Sequence, residues 1–292
     1  MNTNSNTYTF IYAAIIVVVA ASALAFVSEA LKPMQLSNIE TEKRLNILSS
    51  AHLAADAARS SNKNDYVANQ FLKYITNSYV IDYTGATVDG DAFTIDMKQQ
   101  YDLLKSIATA SATATATSTS TASATATSTA PASTSTSTST STSTSITSTP
   151  HPAEQLKKAL RLPVFECTLE DGALLYVVQC YGQGLWGPIW GYLSLKDDCN
   201  TIYGAVFDHK GETPGLGAEI SGTKYAAQFI GKMLFDNGRF VSVSVVKGGA
   251  HAGDPHAVDA VSGGTITSNA LQSILFSSLE AYVPFFNLKT TQ

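Results

Sequence analysis

The stretch ALLYVVQCYGQGLWGPIWGYLSLKDDCNTIYGAVFDH, residues 173–209, is rich in β-branched and aromatic residues and is interrupted by turn-forming residues. It contains three runs that are typical of β-strands: ALLYVVQCY (173–181), IWGYLSLK (189–196) and TIYGAVFDH (201–209). We therefore predict a mainly antiparallel sheet with helices packed on it, which is an α+β fold.

The segments around this stretch continue the pattern. SGTKYAAQFIGKMLFDNG (221–238) predicts a helix that begins at Ser221 and ends near Gly238. FVSVSVVK (240–247) predicts a fourth strand. Upstream, HPAEQLKKALRLP (151–163) predicts a helix, because Pro152 is suited to a first helical turn.

The segment 28–105 predicts a small group of mixed elements. Apolar residues recur at helical spacing at positions 45, 48, 52, 53 and 55. The predicted elements are a helix over 39–60, a helix over VANQFLKYI (67–75), a strand over SYVIDY (78–83), a turn at TVDGD (87–91), a strand over DAFTIDM (91–97) and a helix over KQQYDLLKSIA (98–108).

Composition narrows the class of protein. The chain has 292 residues, 45% of them hydrophobic, which is enough to form a core. The net charge of -5 includes no basic cluster, so we expect no nucleic-acid partner. Cys167, Cys180 and Cys199 show no CxxC spacing. They could form one disulfide, but buried free thiols are the favoured interpretation.

The N-terminus predicts a membrane anchor. Phe10 to Val27 are 18 residues without a charge, and as a helix they reach about 27 Å, close to the hydrocarbon thickness of a bilayer. The alternative is a signal peptide cleaved after Ala23-Leu24-Ala25, but the basic residues that such a signal needs are missing. Because the span has no ionisable side chain, we interpret it as a tether and not as part of an ion pathway.

The basic residues near the span give a first indication of its orientation. No Lys or Arg precedes the span, whereas Lys32, Lys43 and Arg44 follow it. The positive-inside rule alone therefore places the bulk of the chain on the cytoplasmic side.

A low-complexity tract divides the remaining chain. From Ser106 to Pro150 the sequence is almost entirely Ala, Ser and Thr without a charge, which cannot bury enough apolar surface to offset the entropy of ordering. We predict a disordered insertion there. The expected organisation is a tail at 1–9, the anchor at 10–27, the N-terminal part of the soluble domain at 28–105, the insertion at 106–150 and the main domain at 151–292.

Two apparent motifs carry little information about function. GQGLWG (182–187) fits the spacing of a dinucleotide fingerprint, but a proline and another strand follow it where a helix is required. HAGDPH (251–256) contains three possible metal ligands, but its Gly and Pro mark a turn and its spacing matches no common metal site. We interpret it as an exposed loop.

The stretch VDAVSGGTITSNAL (258–271) places hydroxyl side chains and two glycines before an apolar helical stripe. The stripe is formed by Leu271, Ile274, Leu275, Leu279 and Tyr282, so a helix is predicted to start between Thr265 and Asn269. A helix N-terminus with flexible backbone nearby is a natural phosphate site. The alternative is that one hydroxyl only caps the helix.

Three motifs resemble a known flavoprotein family. DAVSGGT (259–265) resembles the flavinylation motif D-x-x-(S/T)-G-A-T, with Gly264 where Ala is usual. GLWGPIWGYLSL (184–195) and HKGETPGLGAEI (209–220) are similar to two further signatures of that family. Together with the anchor, they resemble the C subunit of the sodium-translocating NADH:quinone reductase over nearly the whole chain except the low-complexity tract. The homologous G subunit of the Rnf electron-transport complex is the nearest rival.

The resemblance implies roles for particular residues. Thr265 would carry FMN covalently as a phosphoester, attached by a flavin transferase that uses FAD and magnesium. Asp259 would serve transferase recognition or shape the turn. The residues implied around the phosphate are Ser262, Gly263, Gly264, Thr267 and Ser268. Those implied at the isoalloxazine ring are Glu212, Thr213, Leu216 and Gly217, with Pro214 and Gly215 shaping the loop and Trp186 and Trp190 as candidates for an aromatic wall.

The resemblance also implies a function and an address. The protein would relay electrons in a membrane complex that oxidises NADH, reduces quinone and pumps Na⁺, with NADH, quinone and Na⁺ handled by other subunits. The flavin domain would lie outside the cytoplasmic (inner) membrane, on the periplasmic side, against the positive-inside indication. A hypothesis of a different class is an anchored surface protein without redox function, in which the Ser/Thr tract is a stalk.

Overall fold

The computed structural model describes residues 6–60, 62–122 and 152–290, which form two compact units, Met1–Lys73 and Tyr74–Gln292. An N-terminal helix dominates the first unit, and an α+β domain with a mainly antiparallel sheet forms the second. The predicted fold class is therefore confirmed.

The first unit begins with helix α1, Asn6–Ser50, which is long and apolar enough at its N-terminal part to cross a membrane. Its side chains from Thr9 to Val27 are exposed, as a lipid-facing helix requires. A 3₁₀-helix at Ala57–Arg59 and helix α2, Lys63–Tyr74, follow.

The helix predicted over 39–60 is wrong at its C-terminal end. Helix α1 runs without a break from the apolar span into this segment, but it ends at Ser50 and not at residue 60. His52 has a φ of 61°, in the left-handed region, and the Leu53 N–H donates to the Leu48 carbonyl at 2.9 Å. The apolar spacing continues past the point at which this C-terminal turn ends the helix.

The second unit is built on a six-stranded sheet with the order β2-β1-β3-β4-β5-β6, in which every pair is antiparallel. Its strands are β1 Ile75–Ile81, β2 Thr87–Val88, β3 Leu162–Thr168, β4 Leu174–Gln183, β5 Pro188–Lys196 and β6 Ile202–His209. The three strands predicted over 173–209 are confirmed as β4, β5 and β6. Because β1 and β2 join this sheet, the predicted N-terminal part and the main domain share one sheet.

One predicted strand was wrong, and strand β3 was not predicted. DAFTIDM (91–97) is not a strand, and the short β2 lies instead within the predicted turn. Asp91 accepts a hydrogen bond from the Phe93 N–H and Asp96 accepts one from the Lys98 N–H, so these carboxylates fold the segment into turns. Strand β3 was missed because LPVFECT directly follows a helical pattern.

Helix α3, Met97–Ala122, extends beyond its predicted end. The tract predicted to be disordered from Ser106 therefore starts as a helix. Ala is the strongest helix former, and the Ser106 and Thr109 hydroxyls donate to carbonyls four residues earlier. Residues 123–150 of the tract lie outside the described residues. Helix α4, Pro152–Lys158, confirms the prediction made from Pro152.

The helix predicted over 221–238 is much shorter than expected. The structure has a 3₁₀-helix at Gly217–Ser221, helix α5 at Thr223–Ala226 and a further 3₁₀-helix at Ala227–Phe229. Gly231 has a φ of 78°, in the left-handed region, and it ends the helical pattern before the predicted end at Gly238. The strand predicted over 240–247 is split because Ser242 has a φ of 61°. The remaining strands are β7 Phe235–Asp236, β8 Arg239–Phe240, β9 Ser244–Val246 and β10 Ala257–Asp259.

The last helix, α6, Thr265–Thr290, packs on one face of the sheet and confirms the predicted stripe. All five stripe residues are buried. Gly182 on β4 permits close packing, because a Cβ there would collide with Ile274. Cys167, Cys180 and Cys199 are free and buried, as predicted, and burial raises the pKa of the Cys167 thiol to about 11.

The C-terminal end of α6 is held to the sheet by a polar contact. Lys289 Nζ lies 3.4 Å from Glu166 Oε1 on β3 and 5.2 Å from the centre of the Tyr176 ring. Tyr79 on β1 donates to the same carboxylate at 2.8 Å, and Asn77 donates to its second oxygen at 2.8 Å. Glu166 thus connects three elements.

Candidate functional site

The N-terminus of α6 follows a tight turn. The Gly264 N–H donates to the Val261 carbonyl at 3.1 Å, and Gly263 has a φ of 72°, a value that glycine adopts without strain. In the first turn of any helix, the N–H groups lack carbonyl partners within the helix, and the helix dipole is positive there. The exposed Thr265 begins this turn, so its hydroxyl is accessible at a site suited to an anion.

The hydroxyl side chains of the turn fall into two groups. Ser262 and Thr265 are exposed, whereas Thr267 and Ser268 are buried. Thr267 Oγ1 donates to Glu212 Oε2 at 2.6 Å, and Ser268 Oγ accepts from the Val261 N–H at 3.0 Å. The two buried hydroxyls, which the resemblance places around a phosphate, make hydrogen bonds within the protein that hold the turn in shape.

The ETPGLG loop lies against this turn. The Leu216 and Ala218 N–H groups both donate to the Thr213 carbonyl at 3.1 Å, and Gly215 has a φ of 75°. Thr213 and Leu216 are exposed, and a Cβ on Gly263 would collide with Leu216, so the leucine covers that glycine. The loop and the glycine turn therefore form one continuous surface beside Thr265.

Gly264 and Gly217 are the point of closest approach between the turn and the loop. A Cβ on Gly264 would lie 3.2 Å from both the N and the Cα of Gly217. The missing methyl at position 264 thus leaves the loop backbone room to approach.

Glu212 is directed inward and not toward the surface. The residue is 4% exposed, and its carboxylate accepts from Thr267 and, at 3.1 Å, from the Trp186 N–H. The structure therefore places Glu212 between the loop, the β4–β5 hairpin and α6. The sequence analysis missed the contact with Thr267, because 55 residues separate the pair and no local pattern indicates it.

The β4–β5 hairpin presents an exposed aromatic ring. The Gly184 N–H donates to the Gly187 carbonyl at 2.8 Å, which closes a tight turn where a dinucleotide site would need a helix. Trp186 is 68% exposed, so it is not a core residue, whereas Trp190 is half-buried on β5. Exposed apolar side chains occur on the hairpin, on the ETPGLG loop and on α6. They are Leu185 and Trp186 on the hairpin, Leu216 on the loop and Ile266 on α6.

Asp259 at the end of β10 shapes a neighbouring loop. Its Oδ1 accepts from the Ala250 N–H at 2.8 Å, and its own N–H donates to Gln228 Oε1 at 2.9 Å. Both contacts are made with segments outside the SGGT turn, so the roles that the resemblance implies for this residue stay predictions.

The HAGDPH segment is a turn. Asp254 accepts from the His256 N–H at 2.8 Å, and His256 Nδ1 lies 2.8 Å from the Met233 carbonyl. Within residues 6–60, 62–122 and 152–290, no group of three His, Cys, Asp or Glu side chains is arranged to hold a metal ion.

Comparison with known proteins connects this site to a family. The FMN-binding domain model matches residues 184–280, which include the hairpin, the loop and the start of α6. The C subunit of a Na⁺-translocating NADH-quinone reductase from Vibrio anguillarum is 45% identical over 96 residues, which are 33% of this chain and 38% of that protein. The chain thus matches well under half the length of this relative.

Solved structures extend the similarity to nearly the whole chain. The crystal structure of the corresponding C subunit from Parabacteroides distasonis is 33% identical and matches with a TM-score of 0.59, over 88% of this chain and 96% of that one. This chain belongs to the NqrC family, the C subunits of Na⁺-translocating NADH-quinone reductases. The NqrC structure from Shewanella oneidensis, at 27% identity and a TM-score of 0.58, covers 87% of this chain and 98% of its own.

Proposed function

We propose that this chain carries FMN through a phosphoester bond to Thr265 and relays electrons within a Na⁺-translocating NADH:quinone reductase. The main support is the contrast between the hydroxyls at the start of α6. Thr265 is exposed, while the neighbouring Thr267 and Ser268 are buried and already engaged in hydrogen bonds. Thr265 is therefore the residue on α6 best placed to react.

The described residues fit such a group. The free N–H groups of the first turn of α6 and its dipole favour one negative phosphate charge. Gly263 and Gly264 let Leu216 and the backbone of Gly217 pack closely against the turn beside that phosphate. Leu216 and Trp186 supply exposed apolar surface for a flat ring system. When bound, FMN would supply the redox chemistry, and the protein would supply position and electrostatics.

Attachment requires an accessible threonine oxygen. The Thr265 oxygen would form a bond to the FMN phosphorus of FAD, the pyrophosphate P–O bond would break, AMP would leave and the hydroxyl proton would be released. A separate flavin transferase with magnesium would catalyse this step. Because the oxygen is then esterified, Thr265 cannot also act as an ordinary free-hydroxyl helix cap.

At the level of the complex, the chain would be one relay among several subunits. NADH and quinone would bind elsewhere, since the G-x-G-x-x-G pattern lies in a β-hairpin. Sodium would be moved by other subunits, because the predicted span from Phe10 to Val27 contains no ionisable side chain. This helix would anchor the chain in the inner membrane, with the FMN-binding domain at 151–292 on the periplasmic side.

Fluorescence on a denaturing gel tests the attachment. Protein produced with its transferase should fluoresce under ultraviolet light, and Thr265→Ala should abolish the signal. Ser273→Ala is the matched control, because it removes an exposed hydroxyl of the same helix that lies outside the motif, and it should leave the band bright. A dark wild-type band would support the non-redox surface protein.

Membership in the NqrC family favours the reductase over the related Rnf-type complex. The electron donor separates the two. Partners that co-purify with this chain should reduce its flavin when NADH is added. Reduction that requires reduced ferredoxin would instead support the Rnf-type complex.

A further inference from the structure

Glu212 is a buried carboxylate that the attachment chemistry does not use. It is 4% exposed and accepts hydrogen bonds from two distant segments. Its Oε2 faces the Thr267 hydroxyl at 2.6 Å, and its Oε1 faces the Trp186 N–H at 3.1 Å. A buried carboxylate is costly unless such donors satisfy it, so both contacts are expected to be strong.

Two glycines make room for this carboxylate. A Cβ on Gly184 would lie 2.6 Å from Glu212 Oε1, and a Cβ on Gly217 would lie 2.7 Å from Glu212 Oε2. The backbone of the hairpin and that of the loop thus approach the two oxygens at distances that only glycine permits. The backbone N–H of Glu212 itself donates to His209 Nδ1 at 3.2 Å at the end of β6.

We propose that Glu212 is a positioning residue that couples the first turn of α6 to the tip of the β4–β5 hairpin. Thr267 lies two residues beyond Thr265, and the Trp186 N–H belongs to the residue with the exposed indole. One carboxylate therefore fixes the distance between the attachment residue and the aromatic ring. The consequence for the flavin rests on the proposed function, whereas the coupling itself does not.

Residue-resolved amide hydrogen exchange tests the coupling in the full chain, produced without a flavin transferase. The readout is the exchange rate of the Trp186 N–H relative to that of the core residue Leu193 on β5. Thr267→Val should raise this ratio about tenfold, because the carboxylate loses the donor that holds it in place. Thr267→Ser keeps the hydroxyl and should restore the wild-type ratio.

Further variants separate coupling from general destabilisation. Glu212→Gln should raise the same ratio, because an amide presents only one acceptor oxygen to the two donors. Glu219→Gln is the matched control, since Glu219 is an exposed carboxylate in the neighbouring 3₁₀-helix, and it should leave the ratio unchanged. A wild-type ratio in Thr267→Val would overturn the coupling.

A second readout uses the FMN-loaded chain. Glu212→Gln should make the midpoint potential more positive, because a neutral amide replaces a buried carboxylate beside the proposed flavin site. Glu219→Gln should leave the potential unchanged. An unchanged potential in Glu212→Gln would overturn the consequence proposed for the flavin. If Thr265→Ala still carried FMN, the proposed function would fail while the exchange result would stand.

Discussion

Gly217 is the residue at which the site has the least room. A Cβ there would lie 2.7 Å from Glu212 Oε2 and would also collide with the Thr267 hydroxyl. We expect Gly217→Ala to lower the free energy of unfolding by about 1 to 3 kcal/mol, because an added methyl in a filled space forces its neighbours to move. Chemical denaturation measures this loss.

Gly222→Ala is the control for that change. Gly222 has a φ of -71°, and a Cβ there would meet only the Glu219 carbonyl oxygen, at 3.2 Å. The substitution should therefore cost much less than Gly217→Ala. Equal losses at the two positions would contradict the crowding at Gly217.

At the residue scale, the sequence motifs predicted which residues lie close together at the site, but not the directions in which their side chains point. The ETPGLG and SGGT motifs do come together, with Leu216 over Gly263. The inward direction of Glu212 and the burial of Thr267 depend on a contact across 55 residues. Only the folded chain brings those side chains into register, so no local pattern could predict it.

The contact between the end of α6 and the sheet should depend on pH. Burial acts to raise the pKa of Glu166, but hydrogen bonds from Asn77 and Tyr79 and the charge of Lys289 outweigh it, so the pKa lies below its usual range. A carboxyl whose pKa is lowered in the folded state stabilises the protein above its unfolded pKa, about 4.5, and loses that effect as the pH falls through its folded value.

Glu166→Gln measures this contribution. At pH 7 the substitution should lower the free energy of unfolding by roughly 1 kcal/mol, and the difference from the wild type should shrink below about pH 4.5. Denaturation at several pH values gives both results. Glu280→Gln, which changes an exposed carboxyl on the same helix, should have little effect at any pH. A difference that grows as the pH falls would contradict the assignment.

Elements with a strong pattern were the predictable ones. Strands β4, β5 and β6 and helix α6 have long apolar runs and clear ends, and the structure contains all four. The failures lie where single backbone conformations override composition. Gly231 and Ser242 take positive φ values, and they interrupt the predicted helix at 221–238 and the predicted strand at 240–247, respectively. Such positions are fixed by tertiary packing and not by propensity.

For the whole molecule, the prediction concerns attachment to the membrane. Val18→Arg combined with Ala21→Arg places two charges in the middle of the apolar span, each costing about 2.5 to 3.5 kcal/mol at a helix centre. The double variant should leave the membrane fraction on washing with alkaline carbonate. The control double variant, Leu36→Arg with Asn38→Arg, places two charges beyond the span on the same helix. It should stay bound to the membrane fraction. Equal retention of the two double variants would argue against anchoring by residues 10–27.

A helix and the sheet of the structure extend across the predicted domain boundaries. Helix α1 runs without a break across the expected boundary at residue 27, because the amphipathic segment that follows keeps the helical spacing. The sheet likewise takes β1 and β2 from the segment before the low-complexity tract. Strand pairing between residues about 80 positions apart is a property of the fold, and composition alone does not indicate it.

Intact-mass analysis of the chain matured with its transferase tests the central claim most directly. The account predicts a mass increased by roughly 438 Da, the value of FMN minus water, with the whole increment lost in Thr265→Ala and retained in Ser273→Ala. An unmodified mass for the wild-type chain, or an increment that persists in Thr265→Ala, would contradict it.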